Sequence, residues 1–282
     1  MSRAVIIAMS NQKGGVGKTT STINLGASIA VLEKKVLLVD LDPQANTTSG
    51  VGVTPKDEQQ VYDGLLGHVR ANEIVIKTDT PFLDILPTTP DLIGFEIEAV
   101  ELENREYKLK QLLDPILENY DYVLIDCPPS LGLLTVNALS CADQVIVPLQ
   151  AEYYALEGLS RLVRTIDLVR ENLNPRLKLE GILLTMFDKR NSLCHQVELE
   201  VKNHFGRILY RTKIPRNVRV SEAPSFGKPI LMYDIRSAGA QSYIELAQEF
   251  FDRQKQKAMT QQSQPTTSTP TPTPTPTERF SS

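Results

Sequence analysis

The sequence has few cysteines, no long hydrophobic run and no strong excess of charge of either sign. Its three cysteines, Cys127, Cys141 and Cys194, are odd in number and lack a CxxC spacing. This pattern disfavours a disulfide framework and a zinc or iron–sulfur site, so a reducing cytoplasmic environment is expected. The apolar segment AVIIAM at 4–9 is too short for a secretory signal or a membrane span.

The formal net charge is −4 over 282 residues, so the charge of the whole chain requires neither a nucleic acid nor an acidic membrane as partner. Any such binding must come from a local patch. Hydrophobic residues make up 41% of the chain, which is enough to bury a sizeable core. We predict one folded domain over 1–258.

Residues 259–282 differ in composition from the rest, because threonine and proline alternate through much of this segment. Such a segment buries too little apolar surface to offset the entropy of ordering. We predict a disordered tail. It is either a passive solubilising segment or a segment that binds a partner or is phosphorylated.

Apolar runs of strand length alternate with segments of helical periodicity, which is typical of βαβ units and a parallel sheet. The predicted strands are 4–9, 36–40, 122–127, 144–150 and 181–187, and the predicted helices are 18–33, 105–119, 131–140, 156–172 and 238–257. We therefore predict an α/β fold with a doubly wound, mostly parallel sheet flanked by helices. The ligand should lie at the carboxyl ends of the strands.

The segment NQKGGVGKTT at 11–20 lies between a predicted strand and a predicted helix. Its glycines leave backbone amides bare, and amides at a helix N-terminus bind phosphate oxygens. Lys18 is placed for the β- and γ-phosphates and Thr19 for Mg²⁺, although Gln12 stands where the standard phosphate loop has its first glycine. The alternative is a glycine-rich turn used for packing alone. The second lysine, Lys13, is one that the standard loop does not need.

Four motifs together resemble the ParA/Soj partition ATPases, a branch of the deviant Walker A ATPases that also include MinD and the nitrogenase iron protein. They are KGGVGKT at 13–19, VDLDPQ at 39–44, LIDCPPS at 124–130 and IPRNVRVSEAPSFGKPI at 214–230. The resemblance covers about 3–255 and implies a P-loop NTPase fold of the deviant Walker A type. It also implies ATP and Mg²⁺ as cofactors.

By this resemblance, Lys13 crosses a dimer interface and contacts the phosphates held by the other subunit. The alternative is that Lys13 is a solvent-facing lysine of the loop without a functional role. The resemblance assigns catalytic roles to Lys13, Lys18 and Asp42, with Asp42 positioning the attacking water. The implied cofactor-binding residues are Asn11, Lys13, Gly14, Gly15, Val16, Gly17, Lys18, Thr19, Thr20, Asp188, Pro215 and Asn217.

Acidic residues end two predicted strands, where Mg²⁺ and an attacking water need anionic oxygens. By resemblance, Thr19, Asp40 and Asp126 form the metal site, with Asp126 holding a metal-bound water. The alternative for each acid is a turn or cap residue.

The segment 201–221 contains six basic residues and no aspartate or glutamate. Such an asymmetry in an acidic chain is typical of a surface that binds phosphate backbones, although a charge run is also commonly a solvated face. No base-reading motif is present, so DNA binding should be nonspecific and salt-dependent. By resemblance, the DNA-binding residues are Lys189, Arg190 and Arg219.

The resemblance implies an ATP hydrolase that forms a homodimer on ATP binding and binds double-stranded DNA nonspecifically. A ParB-like centromere-binding protein would stimulate hydrolysis, and the protein would be cytoplasmic and associated with the nucleoid. One rival is a MinD-like positioning ATPase on a membrane. Polar sequence follows the helix at 243–257, and its stripe of Tyr243, Leu246, Ala247 and Phe250 favours packing on the sheet, so no membrane anchor is expected. The second rival is a metabolic P-loop enzyme.

Overall fold

One mixed sheet forms the centre of the chain. The computed structural model describes residues 3–56, 60–152 and 155–262, and within these ranges seven strands share the sheet in the order β3–β4–β2–β5–β1–β6–β7. The strands are β1 Val5–Met9, β2 Val36–Asp40, β3 Ile76–Lys77, β4 Leu83–Leu86, β5 Tyr122–Asp126, β6 Gln144–Gln150 and β7 Lys178–Thr185. Only β3 runs antiparallel to its neighbour. The predicted fold class is confirmed.

Helices and short 3₁₀ turns connect the strands. The α-helices are α1 Lys18–Ala30, α2 Asn46–Gly50, α3 Val61–Leu66, α4 Ala71–Ile74, α5 Ile93–Glu98, α6 Lys108–Leu113, α7 Leu133–Cys141, α8 Ala155–Asn172, α9 Ser192–Phe205, α10 Val218–Glu222, α11 Ile230–Tyr233 and α12 Ala238–Gln262. The 3₁₀ segments are Pro90–Leu92, Ala99–Glu101, Arg105–Tyr107, Asp114–Asn119, Gly206–Ile208 and Ala223–Phe226.

The central strands β2 and β5 are almost entirely buried, and they are apolar up to the aspartate that ends each of them. Every residue of β2, VLLVD, is buried, and β5 is buried from its second residue onward. A strand that is buried on both faces does not alternate polar and apolar residues. The register pairs Asp126 at the end of β5 with Met9 and with Asp40, which places two carboxylates at one edge of the sheet.

The predicted helix at 105–119 is divided into three shorter segments. Its α-helical part, α6, ends at Leu113, and a 3₁₀ segment with Pro115 near its start follows. Proline lacks the amide proton that the helix needs in its interior, so it marks the point where the α-helix stops.

Helix α12 continues past its predicted end at 257 to Gln262. Residues 259–262, which we assigned to the tail, are therefore helical, and the rest of that prediction, 263–282, lies outside the described residues. By its contacts the chain divides into a body of 1–249 and a segment of 250–282. Tyr243, Leu246 and Ala247 are buried. No helix in the described part is long and apolar enough to cross a membrane.

Candidate nucleotide-binding site

A cleft of about 490 Å³ opens at the carboxyl edge of the sheet, beside the β1–α1 loop. The predicted residues that line it are Gly14, Gly15, Gly17, Lys18, Thr19, Thr20, Asp42, Pro215 and Asn217. Residues outside the predicted set also line it, among them Gln44, Asn46, Pro129, Thr185, Met186, Ile214, Val220 and Ser221. Segments that lie far apart in the sequence therefore form one concave site.

The β1–α1 loop has the shape of an anion-binding turn. Gly15 and Gly17 have φ of 71° and 86°, in the left-handed region that L side chains rarely adopt. Gly17 is the N-cap of α1 and provides no side-chain cap for that helix, and an uncapped helix N-terminus is suited to bind an anion. Thr185 Oγ1 donates to the carbonyl of Val16 at 2.8 Å, which ties the loop to the end of β7.

The two lysines of the loop have different environments. Lys18 is 6% exposed and its Nζ donates to the carbonyl of Lys13 at 3.2 Å. Burial lowers the pKa of Lys18, while the charges of Asp126 and Asp42 oppose that shift. The Lys13 side chain is about half exposed, and its ammonium forms an ion pair with Glu152 of the same chain. No local pattern in the sequence points to Glu152 as its partner.

Asn11 is buried and bonded to backbone on both sides of its amide. Its Nδ2 donates to the carbonyl of Pro148 at 2.7 Å, and its Oδ1 accepts from the amide of Lys13 at 3.0 Å. Asn11 therefore fixes the path by which the chain enters the loop. Its contact with a γ-phosphate stays a prediction.

Asp126 lies at the centre of the acidic group. One of its oxygens, Oδ2, accepts from Thr19 Oγ1 and from Thr47 Oγ1, each at 2.7 Å. The other oxygen, Oδ1, is buried and has no hydrogen-bond partner among the described residues. A buried carboxylate oxygen without a donor is costly, so Asp126 is suited to receive a ligand at that atom.

Asp40 is fully buried and organises the turn that carries Asp42. Asp40 Oδ2 accepts from the amide of Thr48 at 2.8 Å and from its hydroxyl at 2.7 Å, and Oδ1 accepts from the amide of Asp42 at 3.2 Å. Asp42 in turn accepts from the amide of Gln44 at 3.0 Å and lines the cleft. Asp42 thus faces the cavity, whereas Asp40 lies behind it.

These oxygens fit Mg²⁺ bound mainly by phosphates. In the described ranges no three acidic, histidine or cysteine side chains form a group that could hold a metal alone. Mg²⁺ in nucleotide sites usually takes one or two protein oxygens and completes its shell with phosphates and water. The Thr19 hydroxyl gives its proton to Asp126, so its lone pairs remain available to a cation.

The raised pKa values of Asp40 and Asp126 predict that, without bound metal, the stability of the protein depends on pH. Burial raises the pKa of Asp40 to about 7, helped by the charge of Asp126, and burial raises the pKa of Asp126 to about 6 against the hydrogen bonds from Thr19 and Thr47. The folded state then holds protons that the unfolded state has released. Between about pH 4 and pH 7 the free energy of unfolding should therefore fall as pH rises.

Thermal melts in EDTA at several pH values measure this fall. The matched variant is Asp126→Asn, whose amide oxygen still accepts from both threonines while its NH₂ takes the place of the unpartnered oxygen. We expect a flatter pH dependence in Asp126→Asn than in wild type. If the stability of the two proteins fell equally steeply with pH, the raised pKa of Asp126 would not be a cause of the fall.

The predicted base-binding side contains an unexpected ion pair. Asp188 accepts from the amide of Arg190 at 2.9 Å and from its guanidinium at 3.1 Å, and this pairing holds the pKa of Asp188 down at about 2. Asp188 therefore bonds a residue that we assigned to DNA rather than pointing free toward a base. Asn217 lines the cleft and its Oδ1 also caps α10 through the amide of Val220 at 3.2 Å.

The basic segment is partly neutralised in three dimensions by acids from elsewhere in the chain. Arg219 lies 3.0 Å from Glu222 and 3.7 Å from Asp234, and Lys213 and Arg211 pair with Glu198 and Glu249. Lys189 is exposed and the Arg190 side chain is 90% exposed. A backbone bridge between Phe187 and Pro215 brings the loop of Lys189 and Arg190 next to the segment that leads into α10.

Comparisons with known proteins place this cleft in a family. A family model described as an AAA domain matches residues 4–179. The chromosome partitioning protein ParA of Myxococcus xanthus is 54% identical over 254 residues, which cover 90% of each chain. The sporulation initiation inhibitor protein Soj of Bacillus subtilis is 56% identical over 245 residues, or 86% of this chain and 97% of Soj. The chain belongs to the ParA/Soj family of chromosome-partitioning ATPases.

Solved structures related to this ParA/Soj chain contain nucleotides. A cobyrinic acid a,c-diamide synthase from Mycobacterium smegmatis, with bound ADP and magnesium, is 37% identical with a TM-score of 0.79 and covers 90% of this chain and 96% of its own. A plasmid partition protein from Borrelia burgdorferi bound to AMPPNP is 28% identical with a TM-score of 0.74 and covers 90% and 100%. The predicted family is thus confirmed, and its relatives bind the predicted kind of ligand.

Proposed function

We propose that this ParA/Soj chain hydrolyses ATP with Mg²⁺ and uses the ATP-bound state to partition DNA. Two protomers close face to face around bound ATP, the dimer binds double-stranded DNA without sequence preference, and a ParB-like protein stimulates hydrolysis at the nucleoid. The observation that carries the proposal is the cleft itself. It joins a bare helix N-terminus, a buried lysine and a carboxylate, which are the groups that phosphoryl transfer requires.

Within this proposal each cleft residue has a distinct task. Lys18 would neutralise the β- and γ-phosphates, the hydroxyl of Thr19 and the unpartnered oxygen of Asp126 would hold Mg²⁺ and its water, and Asp42 would position the attacking water. The bound cation supplies charge neutralisation at the phosphates. Lys13 leaves Glu152 and contacts the nucleotide of the other protomer, which makes the ligand part of the dimer interface.

The cleft and the basic segment are continuous, which supports coupling between ATP and DNA. Ile214, Pro215 and Asn217 line the cleft, Asn217 caps α10, and the second residue of α10 is Arg219. A ligand that orders this segment therefore orders the start of α10 as well. Dimer formation also doubles the number of phosphate contacts, so DNA affinity rises without any base readout.

The rival functions have weaker support. The chain is 37% identical to the amide synthase structure but 54% and 56% identical to the ParA and Soj proteins. A MinD from Pyrococcus furiosus is 23% identical, a level that supports the fold alone. An amide synthase would turn over ATP only with an acidic small-molecule substrate, whereas a partition ATPase responds to DNA and to its protein partner.

Binding of random-sequence DNA with ATP, with ADP and without nucleotide tests the proposal. We expect binding with ATP only. Arg219→Ala should weaken it about tenfold and lower the salt slope by about 2, one phosphate contact for each protomer of the dimer. The control is Arg170→Ala, since Arg170 also pairs with an acid three residues away and has similar exposure. DNA binding that is independent of the nucleotide, or an equal loss of DNA affinity in Arg219→Ala and Arg170→Ala, would contradict the proposal.

A further inference from the structure

Thr47 in α2 contacts the carboxylate at the end of β5 from a point 79 residues away in the sequence. Its side chain is fully buried, and its hydroxyl donates to Asp126 Oδ2 at 2.7 Å. The hydroxyl of Thr19 donates to the same oxygen at the same distance. Neither the phosphate loop nor the acidic motifs of the sequence point to Thr47.

The two hydroxyls fix the orientation of the Asp126 carboxylate. An ionised carboxylate oxygen offers about two lone-pair directions, so Thr19 and Thr47 together satisfy Oδ2. They leave Oδ1 as the oxygen that is buried and has no donor within the described ranges. Without the second hydroxyl, rotation about the Cβ–Cγ bond would be opposed by one hydrogen bond instead of two.

We propose that Thr47 is a positioning residue for magnesium, which acts by holding Asp126 so that Oδ1 faces the cation site. This inference rests on the proposed nucleotide and magnesium site. Thr19 is expected to contact the cation itself, whereas Thr47 acts through Asp126. Residues that orient a metal ligand in this way typically change metal affinity 10- to 100-fold when they are removed.

The neighbouring threonine keeps the local structure in place when the Thr47 hydroxyl is removed. Thr48 bonds Asp40 through both its amide and its hydroxyl, and its Oγ1 accepts from the amide of Thr88 at 3.0 Å. These bonds hold α2 against the end of β2 independently of Thr47. A substitution at Thr47 should therefore act on the carboxylate of Asp126 and leave the turn that carries Asp42 unchanged.

The test is binding of a fluorescent ADP analogue to the full chain during a Mg²⁺ titration and in EDTA. Thr47→Val keeps the shape of the side chain and removes its hydroxyl. We expect the Mg²⁺ concentration at half-effect to rise about 10- to 100-fold, with nucleotide affinity in EDTA unchanged. Thr47→Ser should restore the wild-type response. Thr47→Ala, which removes the methyl group as well as the hydroxyl, should show the same shift as Thr47→Val, and it replaces the valine variant if that variant does not fold.

Thr135→Val is the matched control, because Thr135 is a buried threonine whose hydroxyl donates to the carbonyl of Ser130 rather than to an acid. It should respond to Mg²⁺ as wild type does. Equal losses with Mg²⁺ and in EDTA, or a normal Mg²⁺ response in the valine and alanine variants, would overturn the role of Thr47 alone. If the nucleotide affinity of the wild-type protein did not change with Mg²⁺ concentration, both the proposed magnesium site and the role of Thr47 would be overturned.

Discussion

Replacing Asp42 by alanine is expected to slow ATP hydrolysis about 100-fold or more, the usual range for a residue that orients or deprotonates a nucleophile, while ATP binding is retained. Asp42 is 8% exposed, lines the cleft and is held by the amide of Gln44. Phosphate release under single-turnover conditions and ATP affinity, measured separately, check the two parts of this expectation.

The same variant should hold DNA longer than wild type, because the ATP-bound dimer no longer resets itself. Asp42→Asn separates charge from shape, since its amide oxygen can still accept from Gln44. If the negative charge at Asp42 matters, both variants lose hydrolysis. If Asp42→Ala hydrolyses ATP at the wild-type rate, or loses ATP binding as well, Asp42 does not position the water and the proposed division of roles is wrong.

The sequence predicted the parts of the site that lie on contiguous motifs. The strand–loop–helix around Lys18 was found because a glycine-rich loop lies between the apolar strand β1 and the helix α1, and the acids of β2 and β5 were found because each ends an apolar run. Parallel strands then bring those ends to one edge, which the register of Asp40 with Asp126 confirms. These elements depend on local pattern and on one topological rule.

The remaining contacts depend on tertiary placement that no local pattern encodes. Glu152 and Thr47 reach Lys13 and Asp126 across 139 and 79 residues, and each is an ordinary residue in its own segment. The acid-free stretch 201–221 shows the same limit. Glu198 in α9, Asp234 directly after α11 and Glu249 in α12 pair with its cations only after folding. A run of basic residues in the sequence therefore shows only the local composition. How much of its charge is available to a ligand depends on the acids that folding brings beside it.

Lys13→Ala is expected to abolish ATP-dependent dimerisation at concentrations where wild type is dimeric, with ATP binding to the single protomer largely retained. A charged hydrogen bond to a phosphate contributes about 1.5–3 kcal/mol. A symmetric dimer loses two such contacts, so the dissociation constant should rise about 100-fold or more. Light scattering with ATP, ADP and no nucleotide measures the change.

Glu152→Gln separates the cross-protomer role of Lys13 from its pairing within the chain. The pair is exposed, with 52% and 43% of its side chains accessible, and exposed pairs contribute at most about 1 kcal/mol. If Lys13 serves the other protomer, freeing it from Glu152 should leave dimerisation intact or strengthen it slightly. If Lys13 only holds its own loop through Glu152, Glu152→Gln should lose the dimer as Lys13→Ala does. The control in either case is Lys34→Ala, at an exposed lysine just beyond α1, which should dimerise as wild type does.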